Sequence, residues 1–279
     1  MHLVIQGAEI ETRDLKTLAK LSGADAIERL SDSAFRLKNA QPATGIAQLC
    51  NSARLDHGFV PADRKLSDFR LLVMDMDSTL ITMETIDELA DMVGIKAEVA
   101  AITAQAMRGE IEYDESLRRR LALLKGLDVS ALQRVYDERL KFSPGAERLL
   151  EKARGAGIRT LLVSGGFTYI TDRLKTRVQL DYTHSNVLQM QNDKLTGAVI
   201  GGIVNADAKR EKLLQVAKEL GISREQIAGV GDGANDLKFL AECGVSVAYR
   251  AKPVVRDQTT YALNHSDLDA MCNLLSAER

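Results

Sequence analysis

Cysteine is scarce in this chain of 279 residues: Cys50, Cys243 and Cys272 are the only three, and none lies at the short paired spacing of a zinc site. They read as reduced, mostly buried thiols. Charge of one sign is also lacking, because 37 basic and 39 acidic side chains leave a formal net charge of −2. That balance argues against the basic footprint of a nucleic-acid binder and against a polybasic membrane surface, so any partner is recognised at a local site. No apolar run approaches the roughly 18 residues of a membrane span, and Met1 to Ile10 lack the basic region and small-residue cleavage site of a signal peptide. A cytoplasmic location is the expectation. Repeats and low-complexity segments are absent too. What is present, 45% hydrophobic and 27% charged residues, belongs to a soluble globular protein, and length divided by about 150 suggests roughly two domains.

The first 65 or so residues carry weak signals. Leu3 to Ile5 suits a short strand, Leu15 to Leu21 and Ala24 to Leu30 show helix-like apolar spacing, and Ala43 to Arg54 suits another helix. His57 to Ser67, with Gly58, Pro61 and several charges, reads as a linker. Beyond it, Leu71 to Met74 is a continuous apolar run, as in a strand buried on both faces of a parallel sheet. Helical periodicity then fills Glu84 to Val93, Ala97 to Met107, Tyr113 to Leu124 and Val129 to Leu140, divided at Gly94, Gly109 and Gly126, which read as loop residues. Ser143-Pro144 reads as a helix start. From Ile158 onward strands and helices alternate, which argues for a doubly wound α/β core interrupted by an inserted helical bundle.

Residues able to do chemistry fall where such a core places its ligands, just past the carboxyl ends of strands. Asp75-Met76-Asp77-Ser78-Thr79 follows the first core strand with two carboxylates; alone, it reads equally well as an Asp-rich turn. Ser164-Gly165-Gly166 follows another, offering a hydroxyl and unshielded backbone N–H groups at a helix start. Lys209 opens a later helix, where a single lysine is ordinarily a solvated surface charge. Gly231-Asp232-Gly233-Ala234-Asn235-Asp236 adds two carboxylates beside glycines that let the backbone come close. Oxygen ligands of this kind suit Mg²⁺. Together the parts make a phosphoryl-transfer site: a carboxylate nucleophile, a second carboxylate as acid and base, a metal, anion donors and a lysine.

In order and spacing these segments resemble the four motifs of the haloacid dehalogenase superfamily. Extended through Leu80 to Ala90, Val163 to Phe167 and the helical insert, the match narrows to the phosphoserine phosphatase family and covers about Arg70 to Leu275. The resemblance implies a Rossmann-like core formed by residues 67–83 and 141–279, with a helical cap, 84–140, inserted in it. It implies Mg²⁺-dependent hydrolysis of O-phospho-L-serine to L-serine and phosphate, the last step of L-serine biosynthesis, through an aspartyl-phosphate. Asp75 would be the nucleophile and Asp77 the acid and base; Asp75, the Asp77 carbonyl and Asp232 would bind the metal, with Asp236 beside it or linked through water. Ser164, Gly165 and Lys209 would hold the phosphoryl oxygens.

Phosphoserine also carries an ammonium and a carboxylate. The resemblance assigns these to Glu84 and to Arg120 within Arg118-Arg119-Arg120, places Met107 and Tyr113 in the pocket wall, and gives Asn235 a substrate contact. Tyr113 stands where many relatives have phenylalanine, and its hydroxyl has no assigned role. Closing the cap would exclude water during attack, and reopening would admit the hydrolytic water. His184, His265 and Cys243 read as packed or exposed groups outside the chemistry. Residues 1–66 occupy the position of a small ACT-like regulatory domain, with serine binding and homodimer contacts both open. Another small phosphomonoester substrate, a binding protein with a degenerate core, and an Asp-x-Asp glycosyltransferase are the competing readings; the last leaves Ser164 and Lys209 idle.

Overall fold

The computed structural model describes residues 1–277. Near the N-terminus β1 (His2–Gln6), β2 (Ala26–Ser31), β3 (Ala34–Lys38) and β4 (Asp56–Val60) form an antiparallel sheet in the order β2-β3-β1-β4. With the helices Thr12–Ser22 and Ile46–Ser52 between strands, this is the β-α-β-β-α-β order of ferredoxin-like motifs. Leu15 and Leu18 meet Leu3, Ile5, Leu37, Ile46 and Cys50 in a buried cluster.

Two sequence expectations fail in this region. Ala24 to Leu30 is strand rather than helix: seven residues are too few to separate the two periods, and pairing of Ala26 to Ser31 with β3 decides. His57 to Val60 belongs to β4 rather than to a linker. Gly58 signals close packing there, not a turn, since a Cβ on it would lie 2.7–2.8 Å from Tyr261 and Leu274. The Asp56 carboxylate fastens the same strand by accepting the backbone N–H groups of Asn264, His265 and Ser266 at 2.7, 3.0 and 2.8 Å.

The larger sheet contains β5 (Leu71–Met74), β6 (Arg159–Phe167), β7 (Tyr182–Gln191), β8 (Lys194–Ile200), β9 (Ile227–Gly231), β10 (Val245–Tyr249) and β11 (Tyr261–Leu263), in the order β11-β10-β9-β5-β6-β7-β8. Every pair is parallel except β7 with β8. The chain builds outward from β5 through β6 to β8 on one side and then from β9 to β11 on the other. The β5/β9 boundary is therefore a topological switch point, the place where an open α/β sheet leaves a crevice. Leu71 to Met74 are all buried, as a doubly covered strand requires.

Between β5 and β6 run the helices Thr85–Met92, Lys96–Met107, Tyr113–Leu123 and Ser130–Arg134, the last continued by a wider turn over Val135–Arg139. Gly94, Gly109 and Gly126 separate them with φ of 74°, 74° and 85°, a left-handed conformation that favours glycine. Entering and leaving segments run side by side at Ile81 and Phe142. The helix expected at Ser143-Pro144 begins later, at Ala146, behind Gly145, whose φ of 83° breaks the turn. Among the described residues no helix is long and apolar enough to cross a membrane.

Candidate active site

Asp75 stands at the carboxyl end of β5 and Asp232 at that of β9, facing each other across the switch point. The Asp75 backbone N–H donates to the Val230 carbonyl, locking the two strand ends together. Lys209, in the first turn of helix Ala206–Leu220, reaches the same place. The helix starts at Ala206 rather than at the lysine, capped by Asn205, so Lys209 points inward and is 1% exposed, not a surface charge. Its Nζ donates to Asp75 Oδ1 at 2.6 Å and to Asp236 Oδ1 at 2.8 Å. The other Asp236 oxygen accepts the Gly233 N–H at 3.0 Å.

Oxygens of Asp75, Asp232 and Asp236 lie within 4.8 Å of one another. Three carboxylates against one ammonium leave a charge of −2, which a divalent cation balances. Crowding shows in the acidities: burial, then Asp236, holds Asp75 well above the usual carboxylate range, and the same two causes push Asp232 up to about 7. Asp236 has both oxygens engaged. Asp75 and Asp232 each keep one oxygen without a protein partner among the described residues, while Thr79 Oγ1 donates to Asp232 Oδ1 at 2.9 Å. The donor set is hard and anionic, so it fits a divalent metal, with Asp75 and Asp232 as the available ligands and Asp236 as their orienter.

Past Asp75 the chain makes a tight turn over Met76–Leu80 in which Ser78 has φ of 57°. That conformation is costly for serine, and it is held by Ser78 N–H on the Met83 carbonyl and Ile81 N–H on the Met76 carbonyl. The turn aims Asp77 into the site, where Thr85 Oγ1 donates to its Oδ1 at 2.8 Å. Burial, then Glu84, pushes the Asp77 carboxyl up to about 8, so it carries a proton at neutral pH. The Ser78 hydroxyl donates to Glu84 Oε1 at 2.7 Å, and desolvation raises the Glu84 carboxyl as well.

Opposite lies Ser164-Gly165-Gly166. The helix Thr168–Val178 follows it, but the segment is a bulge within β6 rather than the helix N-terminus itself: pairing with β7 passes from Val163↔His184 to Phe167↔Asn186, four residue steps against two. Ser164 Oγ accepts the Gly166 N–H at 2.8 Å. Both glycines are closely covered by side chains: a Cβ on Gly166 would meet Met76, Ser164 and Asp77, and one on Gly165 would strike the Tyr113 hydroxyl. That contact puts the first residue of helix Tyr113–Leu123 directly over the bulge. Further along the helix Arg120 is 9% exposed, whereas Arg118 and Arg119 lie outside, paired with Asp114 and Glu115. Arg120 Nε donates to the Ser116 carbonyl at 3.3 Å, and its charge acts on Glu84 and Tyr113. Asn235 folds its carbonyl oxygen over Gly233. Met107 stands apart, 64% exposed at the end of its helix.

A family model described as haloacid dehalogenase-like hydrolase matches residues 72–241, and a domain of unknown function, DUF4072, matches residues 3–44. A phosphoserine phosphatase of Polaromonas sp. (strain JS666) is 52% identical over 218 residues, 76% of this chain and 92% of that protein. The chain belongs to the haloacid dehalogenase-like hydrolases, in their phosphoserine phosphatase branch. The crystal structure of a probable phosphoserine phosphatase from Vibrio cholerae, unliganded, superposes with a TM-score of 0.87 at 32% identity, covering 99% of this chain and 86% of that one. A phospho-aspartyl intermediate analogue of a phosphoserine phosphatase covers 74% of this chain and 99% of its own at 35% identity, with a TM-score of 0.70.

Four residues of the site had no role in the sequence reading. Thr79 was in plain view two residues past Asp77 and Thr85 next to Glu84, and a hydroxyl near a carboxylate is a signal for an orienting donor. Asn186 gave none, and Asn205 gave only the N-cap signal of an asparagine ahead of a helix. Asn186 is buried, donating to the Gly165 carbonyl and accepting the Val204 N–H, both at 2.8 Å, so it fixes the bulge from behind. Asn205 caps the lysine helix by accepting the N–H groups of Asp207 and Ala208 at 3.1 Å.

Proposed function

We propose that this chain hydrolyses O-phospho-L-serine to L-serine and phosphate, the reaction that completes L-serine biosynthesis, with Mg²⁺ as the cation and Asp75 as the nucleophile. The observation that carries the reading is the convergence of Asp75, Asp77, Lys209 and Ser164 at the strand ends, beneath a helix that turns a single arginine, Arg120, inward.

An oxygen of Asp75 attacks phosphorus, and the bond from phosphorus to the serine oxygen breaks. Asp77, protonated at neutral pH, gives its proton to the departing oxygen and afterwards takes one from the water that hydrolyses the acyl-phosphate. Lys209, Ser164 and Gly165 hold the phosphoryl oxygens. Asp75, the Asp77 carbonyl and Asp232 are the residues that hold Mg²⁺, which when bound offsets phosphoryl charge. Glu84 takes the substrate ammonium and Arg120 its carboxylate; Tyr113 and Asn235 complete the pocket, and Met107, exposed at the end of its helix, has no contact there. We assign residues 67–83 and 141–279 to the catalytic core, 84–140 to the cap and 1–66 to a small ACT-like regulatory domain able to support a homodimer, in a protein of the cytoplasm.

A substrate panel with purified protein and Mg²⁺ tests the reading. Phosphoserine should exceed phosphothreonine, phosphoethanolamine and glycerol phosphate in kcat/KM; a preference for a substrate lacking the carboxylate would overturn it.

A further inference from the structure

We infer that Asp114 and Asn205 form a latch between cap and core, positioning residues that hold the cap closed over the substrate. The inference rests on the phosphatase reading above. Asn205 Nδ2 donates to Asp114 Oδ1 at 3.1 Å, joining the first turn of cap helix Tyr113–Leu123 to the segment that leads into the lysine helix. Both residues are half-buried. The bond lies one residue from each of two functional contacts. On the cap side, Tyr113 rests its hydroxyl on Gly165 of the phosphate bulge. On the core side, Val204 is held by the same Asn186 that holds the Gly165 carbonyl.

One amide therefore works in two directions. Its oxygen caps the helix that delivers Lys209, and its nitrogen grips the cap helix that delivers Tyr113 and Arg120. Cap closure and lysine placement meet in a single side chain. The other Asp114 oxygen is 4.0 Å from Arg118, an exposed pair of the kind that contributes little.

Because the two ends of the amide do different jobs, they can be separated. Asn205→Asp keeps a good N-cap oxygen but sets a carboxylate against that of Asp114. Asp114→Asn in the same chain restores a hydrogen bond with donor and acceptor exchanged. The substrate-binding groups on the cap contact ground and transition states alike, so Asn205→Asp should raise KM for phosphoserine about tenfold while kcat stays within about twofold and Tm within about 2 °C. Without substrate, amide deuterium exchange over residues 113–123 should quicken. The double variant should recover both KM and exchange. Unchanged KM and exchange in Asn205→Asp, no recovery in the double variant, or a joint fall of kcat and Tm would each overturn the latch. Wild-type turnover of phosphoserine tests the phosphatase reading separately.

Discussion

Removing the ammonium from the centre of the site separates its electrostatic roles. Lys209→Met keeps most of the side-chain volume but leaves Asp75 and Asp236 buried with no cation, where the structure has bonds of 2.6 and 2.8 Å. Breaking one side of a buried pair costs about 3–5 kcal/mol. At roughly 2–4 °C per kcal/mol for a domain of this size, the metal-free variant should melt about 6–20 °C below the parent. The sign with pH follows from the groups. Lys209 has its affinity for a proton raised in the folded protein, so its stabilisation is complete below the pH at which a free lysine titrates and is lost only as pH climbs through the higher folded value. Asp75, whose carboxyl is already raised by burial, can escape by protonating, so the deficit should narrow as pH falls from 8 to 5.

Divalent metal should act in the opposite direction. With the lysine gone the formal charge of the group, its carboxylates ionised as metal binding requires, is −3 rather than −2, so Mg²⁺ should raise Tm more in Lys209→Met than in the parent. Asp232→Asn, which removes the carboxylate that Lys209 does not touch, should cost little stability and lose most of the metal response. Differential scanning fluorimetry with EDTA and with millimolar Mg²⁺, at several pH values, reads all of this. A metal-free Lys209→Met melting with the parent, or a metal-induced rise no larger than the parent's, would refute the charge-balance argument.

Two further expectations concern catalysis. With the Asp77 carboxyl at about 8, kcat/KM should decline as pH rises through that region. Thr85→Val removes a donor that favours the ionised form, so the alkaline limb should move upward; a fixed or lowered limb in the pH–rate profile would contradict the role of Asp77. Arg120→Ala should raise KM for phosphoserine about 10- to 100-fold, the loss of a buried charge-assisted contact, with a much smaller effect on phosphoethanolamine. Arg119→Ala, which breaks an exposed pair with Glu115, should leave both substrates nearly unchanged in steady-state kinetics.

The core was legible because its signals are local. Leu71 to Met74 announces a doubly buried strand by composition, Gly94, Gly109 and Gly126 divide the helices between β5 and β6, and the two aspartate motifs sit at the ends of β5 and β9 where the fold makes its crevice. The inward turn of Arg120 was not readable from three successive arginines; the helix settles it by burying only the third. The N-terminal sheet was harder for a physical reason. β2 is mostly exposed and β4 carries Asp56, His57 and Gly58, so neither shows an alternating apolar pattern; β2 is fixed by its hairpin partner β3, and β4 by β1, which is distant in sequence. Asn186 is a case of distant partners, holding the Gly165 carbonyl and the Val204 N–H, and so is the bond from Asn205 to Asp114, although the helix cap that Asn205 supplies is local.

The central claim is that Asp75 carries the phosphoryl group. Rapid-quench reaction with radiolabelled phosphoserine, followed by peptide mapping, tests it directly. The account predicts a hydroxylamine-labile phosphate on the peptide containing Asp75, formed faster than free phosphate and absent from Asp75→Asn. Sustained turnover with no covalent phosphate, or with the label on another residue, would contradict it.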